Sequence, residues 1–278
     1  MPVLVQSKSM QLPLNGKSIE VAFHVVEPAS DTILLLHEAL GSVTYWKDFP
    51  QRLALAAGAN VLVYSRPGHG NSEGPLEERS VNHYSDQVEV VIPELLRHFS
   101  VTCPVLYGHS EGAAIAMLYA ATSTQVKAII LESPIVNAAK SSSVVIERMA
   151  AEYPGSKLQS RLGQYHRDAD AVFYAWVVWA ATLDDGQSFL PGVLPRIVCP
   201  VLVLQGANDE FGSAKPLKDI QAALPDVQHE TYANTGHLPH REQTELVLER
   251  VARFLAGVDG SASGCEPFSV SNLCEEQP

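Results

Sequence analysis

The chain has 278 residues, 46% of them apolar and only 18% charged, with a formal net charge of −12. That length and apolar share support one large domain, or one domain carrying an insertion, and exclude disorder. The acidic balance makes nucleic acid and anionic membrane surfaces poor partners.

The first eight residues, Met1 to Lys8, carry no basic segment ahead of an apolar core, so no secretion signal is expected and the location expected is cytoplasmic. Residues 10–26 read as a hairpin, because Asn15-Gly16 between two apolar-rich runs is a strong two-residue turn signal. Thr32 to Leu36 is a fully apolar strand that ends in His37-Glu38-Ala39-Leu40-Gly41. Residues 43–57 read as helix. Val61 to Tyr64 is a second buried strand, ending in Arg66-Pro67-Gly68-His69-Gly70-Asn71-Ser72. Residues 81–99 read as one amphipathic helix, with Val88, Val91 and Leu95 spaced by three and four. The next strand runs into Gly108-His109-Ser110-Glu111-Gly112 and an alanine-rich helix. A further strand, Val126 to Leu131, closes at Glu132-Ser133-Pro134.

Uniformly apolar strands alternating with helices predict an α/β fold, a mostly parallel doubly wound sheet covered on both faces. Such sheets place their sites at the carboxyl ends of the strands, where these motifs fall. The alternation breaks at 137–196, a helical stretch holding Phe173, Trp176 and Trp179, read as an insertion after the sixth strand that lids the site. The predicted organisation is therefore a core of 1–136 and 197–257, an inserted unit of 137–196, and a Gly/Ser-rich, then acidic, tail of 258–278. The longest uncharged apolar run, Ala171 to Leu183, is thirteen residues, too short for a membrane span. Cys103 and Cys199 each precede a proline at the start of a predicted strand and read as buried thiols, whereas Cys265 and Cys274 in the tail can pair. No Cys/His spacing resembles a zinc site, so neither metal nor cofactor is expected.

Gly-x-Ser-x-Gly between a buried strand and a small-residue helix forces the serine out of both elements. The N–H of Glu111 then opens the helix and points the same way, ready to stabilise an oxyanion. The alternative for Ser110 is a helix N-cap after a glycine turn. A serine hydroxyl needs a base and a carboxylate to orient that base. Asp209, in Gly206-Ala207-Asn208-Asp209, and His237, in Thr235-Gly236-His237, each follow a predicted strand, giving the chain order Ser, Asp, His. Asp209 as a plain turn residue, Glu210 and Glu132 remain rivals for the acid. His240 and His109 read as packing or capping residues, His37 as a brace of its loop, and Arg66 as the partner of a loop acid rather than of a substrate carboxylate.

These five stretches together resemble the α/β-hydrolase family, over residues 10 to about 257. The resemblance implies Ser110 as nucleophile, His237 as base then acid, and Asp209 as its orienting carboxylate. It implies backbone N–H groups of Glu111 and of Ala39, with Leu40 as the alternative, as an oxyanion hole. It also implies a helical cap at 137–196. The chain departs from the family pattern at Glu38 and Ala39, where glycines are usual, and at Glu111. Glu38 and Glu111 are expected near the mouth, disfavouring polyanionic substrates. Glu38, Phe173, Trp176 and Trp179 are candidate substrate contacts, the aromatics serving either as an acyl pocket or as plain cap core. The activity implied is cofactor-independent hydrolysis of an ester, lactone or related acyl bond of a small-molecule substrate, by a monomer or homodimer. Carbon–carbon hydrolysis of the meta-cleavage type, a cofactor-free haloperoxidase or perhydrolase, and a receptor of the same fold without turnover are the alternatives.

Overall fold

The structure is a computed structural model that describes residues 5–29, 31–74, 83–135, 140–181, 190–211, 214–224 and 226–258. The expected tail, with Cys265 and Cys274, falls almost wholly outside these residues. Eight strands form one sheet: β1 (Val5–Leu14), β2 (Lys17–Val26), β3 (Thr32–Leu36), β4 (Asn60–Tyr64), β5 (Val105–His109), β6 (Ala128–Glu132), β7 (Val201–Gly206) and β8 (Gln228–Tyr232). Their order is β1-β2-β4-β3-β5-β6-β7-β8. β1 and β2 form an antiparallel hairpin, β2 is antiparallel to β4, and every pairing from β4 to β8 is parallel.

The sequence pattern explains this division. The parallel strands β3, β4, β5 and β6 are buried at every position, so their middles are the apolar runs that two covered faces require. β1 is an edge strand, mostly exposed, and its residues alternate. The hairpin turn is made by Asn15 (φ 47°) and Gly16 (φ 72°), both left-handed, as a two-residue turn of matching twist requires.

The helices are α1 (Phe49–Ala57), α2 (His83–Asp86), α3 (Ile92–His98), α4 (Glu111–Thr122), α5 (Lys140–Glu152), α6 (Lys157–Leu162), α7 (Ala169–Ala181), α8 (Leu190–Val193), α9 (Ala214–Ala223), α10 (Pro239–Glu242) and α11 (Thr244–Ala256). One apolar layer joins α3 and α4 to β2, β3 and β5, and the other joins α1 and α11 to the opposite face. A third cluster lies among α5, α6 and α7, all placed between β6 and β7 in the chain. It includes Ala39, Leu40 and, partly buried, Phe211, from the loops at the carboxyl edge of the sheet. No helix among the described residues is long and apolar enough to cross a membrane.

The single helix expected at 81–99 is three pieces. α2 and α3 flank a π-helical turn, Gln87–Val91. Pro93 cannot donate to the carbonyl four residues back, and the turn ahead of it widens. The wide turn also carries buried Gln87, whose Oε1 accepts from the Tyr64 hydroxyl at 2.9 Å. Cys103 differs from expectation as well. It is disulfide-bonded, and it lies in a half-buried bend ahead of β5, not sealed in the core.

Candidate active site

β5 runs directly into α4, with Ser110 at the junction. Its backbone (φ 55°, ψ −114°) is one that residues with a side chain rarely adopt. The flanking glycines make the turn possible. A Cβ on Gly108 would stand 2.3 Å from the carbonyl oxygen of Gly112, and one on Gly112 would stand 2.0 Å from that of Leu36. The Ser110 N–H donates to the carbonyl of Glu132 at 2.8 Å, which ties the turn to the end of β6.

Three strand ends then converge. His237, past β8, has Nε2 2.9 Å from Ser110 Oγ. Its Nδ1 lies 2.9 Å from each carboxylate oxygen of Asp209, which follows β7. A carboxylate can only accept, so Nδ1 carries the proton and Nε2 offers its lone pair to the Ser110 hydroxyl. The Asp209 side chain is 1% exposed. Two groups that the sequence reading passed over help to hold it. Gln205 Nε2 donates to Oδ2 at 2.9 Å, and the Phe211 N–H donates to Oδ1 at 2.9 Å. The Phe211 ring also lies 5.0 Å from the imidazole of His237. The one sequence signal for this pair was proximity: an amide side chain at the strand end and an aromatic two residues past the acid.

The rival acids are engaged elsewhere. Glu210 is exposed, with Arg148 at 4.0 Å. Glu132 is fully buried and binds His240: Oε1 accepts from the backbone N–H at 2.6 Å and from Nδ1 at 2.9 Å, and Oε2 accepts from the Tyr107 hydroxyl at 2.8 Å. Burial by itself would raise this carboxyl, but the charge and hydrogen bonds of His240, with His109 nearby, hold it at about 2. His109, Glu132 and His240 are the one group among the described residues whose ligand atoms gather closely, within 4.8 Å. The carboxylate is already satisfied by protein donors, so the cluster reads as a buried polar network and not as a metal site.

That network predicts acid lability. His109 Nε2 donates to the carbonyl of His237 at 2.8 Å, and burial drives the imidazole down to about 3. A histidine lowered on folding stabilises the fold when neutral, so its contribution is intact above the unfolded value near 6.5. It is then lost progressively as pH falls toward 3. The cost is about 1.4 kcal/mol per pH unit over that span. Urea midpoints should therefore drop stepwise from pH 7 to pH 5, and His109→Gln should flatten that slope. An unchanged slope in the variant would remove His109 from this role.

The loop after β3 is held from behind. Arg66, 1% exposed, donates through Nη1 to the carbonyl of His37 (2.6 Å) and through Nη2 to that of Glu38 (3.0 Å) and to Glu111 Oε2 (2.6 Å). Its backbone N–H donates to His37 Nε2 at 3.0 Å. Glu111 is therefore not at an open mouth, as expected from sequence. It is 3% exposed and ion-paired, because a carboxylate drawn from water needs such a partner. The N–H of Leu40 donates to Glu38 Oε2 at 2.8 Å, which engages both a candidate oxyanion donor and the Glu38 carboxylate. Phe173 is fully buried and stacks on Tyr153 at 3.7 Å between centroids. Trp176 and Trp179, each 8% exposed, share its cluster with Ala39 and Leu40.

Residues 33–250 match the model of the alpha/beta hydrolase family. The monoglyceride lipase of Rattus norvegicus is 28% identical over 67% of this chain and 68% of its own length. A probable lysophospholipase L2 of Haemophilus influenzae is 23% identical over 87% of this chain and 90% of its own. Among solved structures, an alpha/beta hydrolase fold protein from Chitinophaga pinensis superposes with a TM-score of 0.71 at 15% identity, covering 90% of this chain and 98% of that one.

Proposed function

The chain belongs to the alpha/beta hydrolase family and is a hydrolase, and on that premise we propose that it cleaves carboxylic esters through an acyl-enzyme formed on Ser110. The observation that carries this reading is the relay itself: Ser110 Oγ, His237 and Asp209 linked by contacts of 2.9 Å. His237 Nε2 takes the hydroxyl proton as Oγ attacks the ester carbonyl, and Asp209 stabilises the imidazolium that forms. The same proton passes to the leaving alkoxide. Water then repeats the sequence on the acyl-enzyme, with His237 again as base. The N–H groups of Glu111, at the amino end of α4, and of Ala39 receive the charge that develops on the carbonyl oxygen.

The substrate we favour is a single-chain fatty acyl ester of small to medium size. Two relatives are named for single-acyl lipid substrates, a monoglyceride lipase and a lysophospholipase. In this reading α5 to α8 act as a cap, and Trp176 and Trp179, beside Ala39 and Leu40, face the acyl chain. An ester carries no obligatory negative charge, which suits a chain of net charge −12.

A panel of acetyl, butyryl, octanoyl and palmitoyl p-nitrophenyl esters, monoacylglycerols, a lactone and a dienol-diketone tests this function. We expect kcat/KM to rise by up to about four-fold per added methylene until the pocket is filled, since each buried methylene contributes about 0.8 kcal/mol. Turnover of the diketone with no ester hydrolysis would replace the ester reading with carbon–carbon hydrolysis.

A further inference from the structure

We propose that Arg66 is a positioning residue for the oxyanion hole, one guanidinium that fixes the spacing and direction of both of its backbone donors. The inference rests on the ester-hydrolase reading above and concerns the same site. Arg66 is 1% exposed and stands behind the loop, so it acts through the backbone and not on the substrate.

The Glu38–Ala39 peptide is trans. In a trans peptide the N–H points opposite to the preceding carbonyl. Arg66 Nη2 holds the Glu38 carbonyl at 3.0 Å, beside His37 Nδ1 at 2.7 Å and the Gly41 N–H at 3.0 Å, so the Ala39 N–H is turned away from the guanidinium. Arg66 Nη1 holds the His37 carbonyl at 2.6 Å, which fixes the preceding peptide as well. The same Nη2 binds Glu111 Oε2 at 2.6 Å, and Glu111 is the first residue of α4 and the carrier of the second proposed donor. Two chain segments that are distant in sequence are thus locked to one planar group.

The next carbonyls of the loop are held too. Ala39 O is 3.2 Å from His69 Nε2, and Leu40 O accepts from His166 Nε2 at 2.9 Å. Only Arg66, however, also reaches the helix beside the nucleophile. A lysine cannot copy it, because an ammonium has no planar fork to engage two carbonyls and a carboxylate at once. Glycines, which the family usually carries at positions 38 and 39, leave such a loop freer. Here Glu38 and Ala39 have ordinary side chains, and the guanidinium supplies the definition.

The test compares wild type, Arg66→Lys, Arg66→Met and Glu111→Gln on one p-nitrophenyl ester. Two further readouts are affinity for a trifluoromethyl ketone, whose serine adduct carries an oxyanion, and the melting curve. We expect both Arg66 variants, folded at the assay temperature, to lose about 10- to 100-fold in kcat with KM within about three-fold. Ketone affinity should fall in parallel, and Glu111→Gln should move both in the same direction by less. Wild-type kcat in folded Arg66→Lys would overturn the proposal. So would a loss confined to KM with ketone affinity retained, or losses that only track the folded fraction. If neither Arg66 variant folds, Glu111→Gln decides: unchanged kcat and ketone affinity overturn the proposal. Failure of the underlying reading looks different, because wild type would then neither hydrolyse the ester nor bind the ketone.

Discussion

Ser110→Ala is expected to reduce ester turnover by about 10⁴-fold or more while leaving the fold and KM nearly unchanged. The size follows from what is removed. Alanine leaves His237 with no hydroxyl to deprotonate at 2.9 Å, and covalent catalysis ends. Water can still attack a carbonyl held by the two proposed N–H donors, which leaves a small residual rate. Stability should change little, since alanine keeps the Cβ and neither adds to nor relieves the φ 55° backbone at this position. Steady-state kinetics with thermal melting checks this, and wild-type turnover by the variant would exclude Ser110 as nucleophile.

Asp209→Asn should cost about 10³- to 10⁴-fold in kcat. The substitution preserves size, yet an amide presents one oxygen and one NH2 where the native side chain presents two acceptors. Three donors compete for those acceptors: His237 Nδ1, Gln205 Nε2 and the Phe211 N–H. An asparagine NH2 facing Nδ1 favours the tautomer protonated on Nε2, which cannot take a proton from Ser110. The buried carboxylate that balances the imidazolium is lost as well. The loss should therefore fall on kcat, and raising the pH should not restore it. A loss below about ten-fold, measured on a variant shown to be folded, would assign Asp209 to structure alone.

Much of the fold was legible because the parallel strands are buried on both faces. A run such as Thr32-Ile33-Leu34-Leu35-Leu36 has few other readings when turn residues bound it. Glycines at 108 and 112 marked the sharp junction for a reason that the structure makes numerical, contacts of 2.3 and 2.0 Å for an added Cβ. Ser110, Asp209 and His237 were visible as polar residues at the ends of apolar strands, and the structure has them within hydrogen-bond reach.

What the sequence hid were contacts between distant segments. Arg66 was readable as the partner of a loop acid, but that this partner is Glu111, 45 positions away and buried with it, had no local signal. Glu132 and His240, 108 positions apart, looked like a spare acid and a capping histidine, yet they form one buried pair. Gln205 and Phe211 are ordinary residues until the fold brings His237 between them and the serine. The π-turn at Gln87–Val91 was hidden because Val88, Val91 and Leu95 keep helical spacing while the backbone hydrogen bonds shift by one residue.

The central claim is that the hydroxyl of residue 110 becomes acylated during turnover. Acid-quenching a reaction with p-nitrophenyl butyrate, followed by peptide mass mapping, tests it most directly. The account predicts a butyryl group on the peptide bearing Ser110, formed as p-nitrophenol appears, decaying with turnover, and absent from Ser110→Ala. Sustained ester hydrolysis with that peptide unmodified, or with the butyryl group on another side chain, would contradict it.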